Sequence, residues 1–323
     1  FNQPVIVTML RLFERFVTPS PPEPPQQPPQ GLYAFCRHYT RGLEWPLLTM
    51  SVLTALMATL EVTLFSFMGE LVDWLVQKTP DTLLQEEGWR LGLMAITLVV
   101  ILPTVVFLHA ALVHQTLLGN YPMRIRWQAH RYLLKQSLSF YQDDFAGRIA
   151  TKVMQTALSV RETVMKLLDV MVYILVYFTS ALVIVAMADW RLMLPMLAWL
   201  LLYIAVQFYF VPRLKQVATE QADARSAMTG RIVDSYTNIQ TVKLFSHTDR
   251  ETAYAQESMQ GFMDTVYRQM RLATGFNVSV NTINYLLVFA VATLSIVLWL
   301  DNAISVGAIA IAISLALRIN GMA

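Results

Sequence analysis

The sequence is poor in charge and in cysteine, and it lacks a phosphate-binding loop. Only 14% of its 323 residues are charged, against about 25% in a typical soluble domain. The single cysteine, Cys36, excludes an intrachain disulfide, and we expect no chemical role for it. No GxxxxGKS or GxxxxGKT segment occurs, so this sequence has no P-loop and is not expected to be an ATP-hydrolysing enzyme by itself.

What the sequence does contain is apolar surface. Hydrophobic residues make up 55% of it, and the mean hydropathy is +0.47. A chain this apolar needs a bilayer to cover its surface, and its long apolar stretches lack the alternation of barrel strands. We therefore predict an all-α membrane protein with six spanning helices. They cover residues 47–76, 91–119, 164–188, 192–212, 275–300 and 307–323, the last one truncated.

The first 46 residues predict a cytoplasmic N-terminal segment in three parts. Residues 1–17 have the pattern of a short amphipathic helix. Residues 18–30 hold seven of the fourteen prolines, which is typical of a semi-rigid polyproline II linker; a ligand for an SH3-like domain is the alternative. Residues 31–46 mix aromatic and basic side chains, which favours an elbow helix on the membrane surface. We expect both chain ends to be cuts in a longer protein.

The distribution of basic residues predicts the orientation. Of the 24 lysines and arginines, most precede the first span or lie between spans two and three and between spans four and five. The opposite loops, which we expect at 77–90, 189–191 and 301–306, are short and poor in basic residues. Basic loops stay in the cytoplasm. The N-terminus and the long loops are therefore predicted to be cytoplasmic, in a multi-pass plasma membrane protein of the bacterial inner membrane type.

The two long inner loops have helical character. Apolar residues recur at helical spacing in 120–140, and residues 213–233 are rich in helix formers. A helix of this length rises about 30 Å. The spans are therefore expected to continue into the cytosol as rods, to turn at a short break and to return.

The two breaks are predicted at Phe140–Gly147 and Asp234–Phe245. Asp143 and Asp144 in the first break, and Asp234 with Ser235 in the second, are candidates for helix N-caps. A short helix held about 30 Å from the bilayer is placed to contact a cytosolic partner. The alternative is that both breaks are ordinary hairpin turns.

The segments FYQDDFAGRIATKV and IVDSYTNIQTVKLFSHTDRE carry a resemblance to a known family. About residues 40–323 resemble the transmembrane domain of type I ABC exporters, a six-helix class with long cytoplasmic helical extensions. In that family two coupling helices dock onto nucleotide-binding domains. The resemblance implies that the first coupling helix comprises Tyr141, Gln142, Asp143, Asp144, Phe145, Ala146, Gly147 and Arg148. It implies that the second comprises Asp234, Ser235, Tyr236, Thr237, Asn238, Ile239, Gln240 and Thr241.

The resemblance also implies partners and a function. The implied protein is a half-transporter that moves a lipophilic substrate (a drug, lipid or peptide) across the bilayer by alternating access. ATP and Mg²⁺ would bind in a nucleotide-binding domain downstream in the same chain, and a second half-transporter would complete a homodimer or heterodimer. This part of the chain is expected to hold no cofactor and to bind no nucleic acid. The rival interpretations are a secondary transporter or channel without ATP coupling, which predicts short inner loops, and a membrane-anchored scaffold.

Polar residues inside the spans are the candidates for a substrate path. Glu61, near the middle of span one, either faces a central cavity that attracts cations or pairs with a neighbouring helix. Asn277, Asn281 and Asn284 in span five share one helical face. They either line a translocation path, which we favour, or bond neighbouring helices together.

Other repeated residues in the spans predict packing rather than chemistry. His109 and His114 in span two do not share a helical face and have no correctly spaced Cys or carboxylate, so we expect no metal site. Ala308, Ala312 and Ala316 in span six form a small-xxx-small seam, which predicts close helix packing.

Overall fold

The computed structural model describes residues 3–24, 26–143, 146–244 and 248–321. The chain divides into two compact units, Phe1–Ile184 and Val185–Ala323. Throughout the described ranges the regular structure is helical, without a strand. The predicted all-α fold class is confirmed.

The first unit contains eight of the described α-helices and most of a ninth, interrupted or joined by π-helical turns. The helices are α1 Gln3–Glu14, α2 Leu32–Thr40, α3 Glu44–Gln77, α4 Pro80–Ile96, α5 Leu102–Ala111, α6 Asn120–Leu133, α7 Leu138–Asp143, α8 Ala146–Met165 and α9 Met171–Ala188. The π segments are Thr97–Ile101, Leu112–Leu117 and Lys166–Val170. Because these segments keep the chain helical, Thr82–Leu133 and Ile149–Ala188 each run as one long helix.

The second unit is built on two very long helices. Its elements are a 3₁₀ turn Trp190–Leu192 and helices α10 Met193–Thr237, α11 Ile239–Leu244, α12 Thr248–Leu300 and α13 Val306–Asn320. Helix α10 has 45 residues and α12 has 53. At the rise of an α-helix these lengths are about 68 and about 80 Å, whereas the hydrocarbon core of a bilayer is about 30 Å thick. The predicted extension of the spans as rods is confirmed.

The described residues include five helices long and apolar enough to cross a membrane, and a shorter apolar helix, Val306–Asn320. They overlap the six predicted stretches, and several extend well past them at the predicted cytoplasmic ends, as Trp190–Thr237 does beyond 192–212 and Asp249–Leu300 before 275–300. The small-residue seam lies on that last helix: Ala308, Ala312 and Ala316 are 8%, 2% and 0% exposed. The predicted close packing of these alanines is confirmed, because only small side chains let another helix approach so closely.

The prediction of a 14-residue outer loop at 77–90 is wrong. Helix α4 already begins at Pro80, in the first turn, where a proline loses no hydrogen bond. Lys78 lies just before that turn, and its Nζ is 2.8 Å from Glu86 and 2.7 Å from Glu87 on α4. Hydrogen bonds first to Glu86 and then to Glu87 raise the pKa of Lys78 above its usual value. Lys78, Glu86 and Glu87, whose charges suggested a loop, therefore link the end of α3 to α4.

An apolar cluster of the first unit lies where α2 and the start of α3 meet α6, α8 and the π segment Leu112–Leu117. Leu43, Leu117, Tyr121 and Ala157 are each 0% exposed within it. Val17, from the stretch before the proline tract, is 3% exposed in the same cluster. The N-terminal segment is therefore part of the packed unit.

The first half of the proline tract is bound to α6. We call residues 18–24 the proline strap. The indole N–H of Trp127 donates to the carbonyl of Pro21 over 3.1 Å. The Arg131 guanidinium donates to the same carbonyl over 3.1 Å and to that of Glu23 over 2.9 Å. In this structure the strap is therefore bound by side chains of α6 in the same chain.

Candidate coupling segments and an intramembrane polar network

The second predicted coupling helix begins later than its sequence suggests. Helix α10 continues to Thr237, and α11 starts at Ile239. Between them, Asn238 donates from its backbone N–H and from its side-chain amide to the carbonyl of Asp234, each over 3.0 Å. The expectation that Asp234 caps the start of this helix is therefore wrong, because Asp234 lies in the last turn of the preceding one.

Ser235 is likewise not a cap. Its hydroxyl lies 3.1 Å from the carbonyl of Arg231 and 2.7 Å from the carboxylate of Glu251 on α12. The second contact ties α10 to α12 beside the break. Ser235 therefore stabilises the end of the hairpin rather than the start of α11.

The end of this hairpin exposes apolar side chains. Tyr236 is 71%, Ile239 41% and Leu244 81% exposed. The other residues of the predicted segment, Asp234, Thr237, Asn238, Gln240 and Thr241, are exposed as well. Apolar side chains clustered at the end of a helical hairpin are typical of a docking surface. We call Tyr236, Ile239 and Leu244 the tip patch.

The first predicted coupling segment begins earlier than its sequence suggests. Helix α7 starts at Leu138, and Asp143 is its last residue, so Asp143 does not lie at the start of this helix. The hydroxyl of Tyr141 donates to the carbonyl of Leu133 over 2.8 Å, which holds α7 against the end of α6. Asp144 and Phe145 lie outside the described residues, and so do the side chains of Gln142, Asp143, Ala146, Gly147 and Arg148.

A carboxylate inside the apolar spans is hydrogen-bonded to two polar side chains from other helices. Asp169 lies in the π segment that precedes α9. Its Oδ1 is 3.0 Å from His109 Nε2 on α5 and accepts a hydrogen bond from the hydroxyl of Thr54 on α3 over 2.5 Å. The side chains of His109 and Asp169 are 17% and 25% exposed. We call these three residues the Asp169 network.

The π segment contributes a backbone acceptor beside this network. The hydroxyl of Ser51 donates to the carbonyl of Leu168 over 2.7 Å. A π-helical turn disturbs the regular hydrogen bonding of an α-helix, and its backbone groups then need other partners. Ser51 and Thr54 both lie on α3, so this helix satisfies both the side chain and the backbone of the π segment.

Asp169 was not recognisable from the sequence as a member of a polar site. It falls inside the predicted span 164–188, and a single carboxylate there gave no spacing pattern. His109 was judged by its neighbours in sequence, whereas its carboxylate partner comes from 60 residues away. The available signal was that an ionisable residue in a span normally has a partner on another helix.

The candidate path residues have separate surroundings. Glu61 on α3 is half-buried and accepts a 2.5 Å hydrogen bond from the hydroxyl of Tyr173 on α9. Asn284 is 2% exposed and accepts a 2.8 Å bond from the indole N–H of Trp199. Asn277 and Asn281 are exposed, and their side chains are 2.5 Å apart. One asparagine thus bonds neighbouring helices, and two lie at the surface.

Residues 47–322 match the family model for the ABC transporter transmembrane region. The chain belongs to the ABC transporter transmembrane family. The matched region of this ABC transporter chain contains both predicted coupling segments and the whole Asp169 network. Helices α1 and α2 and the proline strap precede it.

The ABC transporter chain also has a curated relative. It is 48% identical over 312 residues to a Haemophilus influenzae protein described as an uncharacterized ABC transporter ATP-binding protein. The alignment covers 96% of this chain and 50% of that relative. The chain therefore spans about half the length of the curated relative it matches.

Proposed function

We propose that this chain is the membrane half of an ATP-driven exporter that works by alternating access. The observation that carries the proposal is a helical hairpin, α10 and α12, that is more than twice as long as the hydrocarbon core of a bilayer is thick and ends in the tip patch. A channel or secondary transporter does not need such a hairpin. A scaffold does not need a carboxylate network between its spans.

The role of this chain in the proposed mechanism is mechanical. It has no phosphate loop, so its residues do not fit ATP and Mg²⁺; these would be held by a separate nucleotide-binding domain downstream. The tip patch receives that domain. The Arg268–Glu220 ion pair, with an N–O distance of 2.9 Å, and the Ser235–Glu251 hydrogen bond join α10 to α12. A displacement at the patch therefore moves both helices together and reaches the spans.

Partner and orientation follow from the same proposal. The long hairpins and the N-terminus face the cytoplasm, because most of the basic residues lie there. A second half-transporter, identical or related, completes the pathway. Exposed apolar residues of the spans face lipid or that partner.

For the substrate we propose a lipophilic molecule, with cations favoured. Glu61 is a carboxylate in the middle of α3 that remains partly accessible, and a negative charge in a low-dielectric span attracts a cation strongly. Asn277 and Asn281 provide exposed amides along α12. We expect Glu61→Gln to reduce stimulation of ATPase activity by lipophilic cations more than by neutral lipids. The matched control is Glu70→Gln, because Glu70 lies near the outer end of the same helix.

The decisive experiment for coupling uses the full-length protein in liposomes. Vanadate-sensitive ATPase activity and substrate transport are measured for wild type, Tyr236→Ala and Tyr267→Ala. Tyr267 is a matched control, an exposed tyrosine on α12 outside the tip patch. Truncating a hot-spot aromatic at an interface costs about 2 kcal/mol or more, so we expect Tyr236→Ala to lower transport per ATP about thirtyfold. Equal ratios for all three proteins would remove the tip patch from the mechanism.

A further inference from the structure

A cavity of ≈ 400 Å³ lies between the proline strap, the α2–α3 junction and α6. Its volume falls in the range of small-molecule sites, about 300–1,000 Å³. Its polar and charged lining residues are Glu23, Gln26, His38, Arg41, Arg124 and Gln128. None of them belongs to the coupling segments or to the Asp169 network.

Arg124 is buried in the wall of this cavity with unused hydrogen-bonding capacity. It is 7% exposed. Its guanidinium reaches the carbonyl of Thr18 only at 3.4 Å and the carboxylate of Glu23 only at 3.5 Å. Its Nε has no hydrogen-bond partner, and neither does the buried Oε1 of Gln128. A buried guanidinium has five N–H donors to satisfy, and leaving them poorly paired is costly.

The backbone is shaped to admit this guanidinium. Gly42 has a φ of 80°, and a Cβ at this position would lie 2.6 Å from Arg124 Nη2. The N–H of Gly42 donates to the carboxylate of Glu44 over 2.6 Å, which fixes the turn. A positive φ favours glycine, and here the absence of a side chain is also what lets the guanidinium approach.

Positive charge is in excess around the cavity. Among the described lining residues, Arg41 and Arg124 contribute two fixed positive charges and Glu23 contributes one negative charge, and the side chain of Glu23 is 67% exposed. Burial and the neighbouring charge of Arg41 both lower the pKa of His38, so that His38 adds a neutral imidazole. The carboxylate, which is mostly in solvent and at the limit of hydrogen-bond distance, does not neutralise Arg124 well.

We propose that this cavity binds a phosphate group. The phosphate belongs either to the headgroup of an anionic lipid or to a small soluble phosphate compound. A planar guanidinium matches phosphate oxygens, and charge-assisted bonds of this type are among the strongest. Arg124 forms the base of the site, Arg41 lies at its rim, and the amides of Gln26 and Gln128 donate to remaining oxygens. The carboxylate of Glu23 occupies part of the site and competes with the ligand.

The test titrates the full-length protein in detergent with four probes and measures binding by native mass spectrometry. The probes are short-chain phosphatidylglycerol, short-chain phosphatidylcholine, glycerol 3-phosphate and inorganic phosphate. Saturable binding of phosphatidylglycerol alone assigns the site to a lipid headgroup. Binding of the two soluble phosphates as well assigns it to a free phosphate group. Equal binding of phosphatidylcholine and phosphatidylglycerol without binding of either soluble phosphate, or no saturable binding of any probe, overturns the proposal.

Variants separate a binding site from a structural arginine. We expect Arg124→Gln to weaken binding of the preferred probe about tenfold and Arg41→Gln about threefold, as loss of charge-assisted bonds requires. Glu23→Gln should tighten binding, because it removes the competing carboxylate. Arg15→Gln removes an exposed charge outside the cavity and is the control.

The proposal stays testable if Arg124→Gln fails to fold. Arg41 and Glu23 are exposed, so their variants are expected to fold. Opposite effects of Arg41→Gln and Glu23→Gln support the site. Unchanged affinity in both, or the same loss in Arg15→Gln, refutes it.

Discussion

Removing the carboxylate of Asp169 tests whether the network between the spans is an energetic unit. Asp169 accepts from Thr54 over 2.5 Å and lies 3.0 Å from His109 Nε2. Hydrogen bonds between helices in a membrane average about 0.6 kcal/mol and reach about 1.7. Two such bonds give a loss of unfolding free energy of about 1–3 kcal/mol for Asp169→Ala. Asp169→Asn keeps one acceptor oxygen, so we expect a smaller loss.

The assay is a double-mutant cycle between Asp169→Ala and His109→Ala in the full-length protein, with unfolding in mixed SDS micelles. The coupling free energy should be about 0.6–1.7 kcal/mol. The matched control pairs Asp169→Ala with Thr59→Ala. Thr59 lies on the same helix as Thr54 but bonds its own backbone, at the carbonyl of Ala55. A His109 coupling within about 0.3 kcal/mol of the control, the usual limit of additivity, would refute the network.

Two further predictions concern packing and pH. Ala316 is 0% exposed, so Ala316→Leu should overpack the last span and cost about 1–3 kcal/mol in thermal or SDS unfolding. Leu317→Ala, at an exposed neighbour, should change stability far less. A larger loss for Leu317→Ala than for Ala316→Leu would contradict close packing at the alanine seam. For Lys78, the raised pKa in the folded state means that its pairing with the two α4 glutamates stabilises the fold below the unfolded pKa. That contribution is lost as the pH rises through the folded pKa. The Tm difference between wild type and Lys78→Gln should therefore be constant from about pH 7 to 9 and shrink above about pH 10.5. A difference that grows with alkaline pH would contradict it.

The helices were predictable because their signal is repeated over many residues. Apolar length predicted the five long apolar helices and the shorter helix Val306–Asn320, and helical periodicity beyond them predicted the rods. Helix ends were less predictable. The short helix after α10 starts five residues later than Asp234, because an Asp–Ser pair has the same sequence signature at an N-cap as in a last helical turn. Only the tertiary contact from Ser235 to Glu251 decides between the two.

The polar sites were predictable only in part, because they depend on which helices approach each other. The sequence identified Glu61 but not its partner Tyr173, which lies 112 residues away. The sequence left two interpretations open for the asparagines of span five. The buried Asn284 fits the second one, because it bonds Trp199 on a neighbouring helix. The cavity beside Arg124 could not be predicted from the sequence, because it forms only when the proline strap folds back onto α6. A proline-rich composition indicates stiffness but not where the segment binds.

The attachment of the proline strap to α6 has an unusual asymmetry. Proline has no amide hydrogen, so the strap offers carbonyl oxygens to α6 and has few amide hydrogens of its own. If the strap is lifted off, the donors left without partners are the indole of Trp127 and the guanidinium groups of Arg131 and Arg124. All of them are side-chain groups, so detachment of the strap leaves no backbone N–H of a helix without its partner.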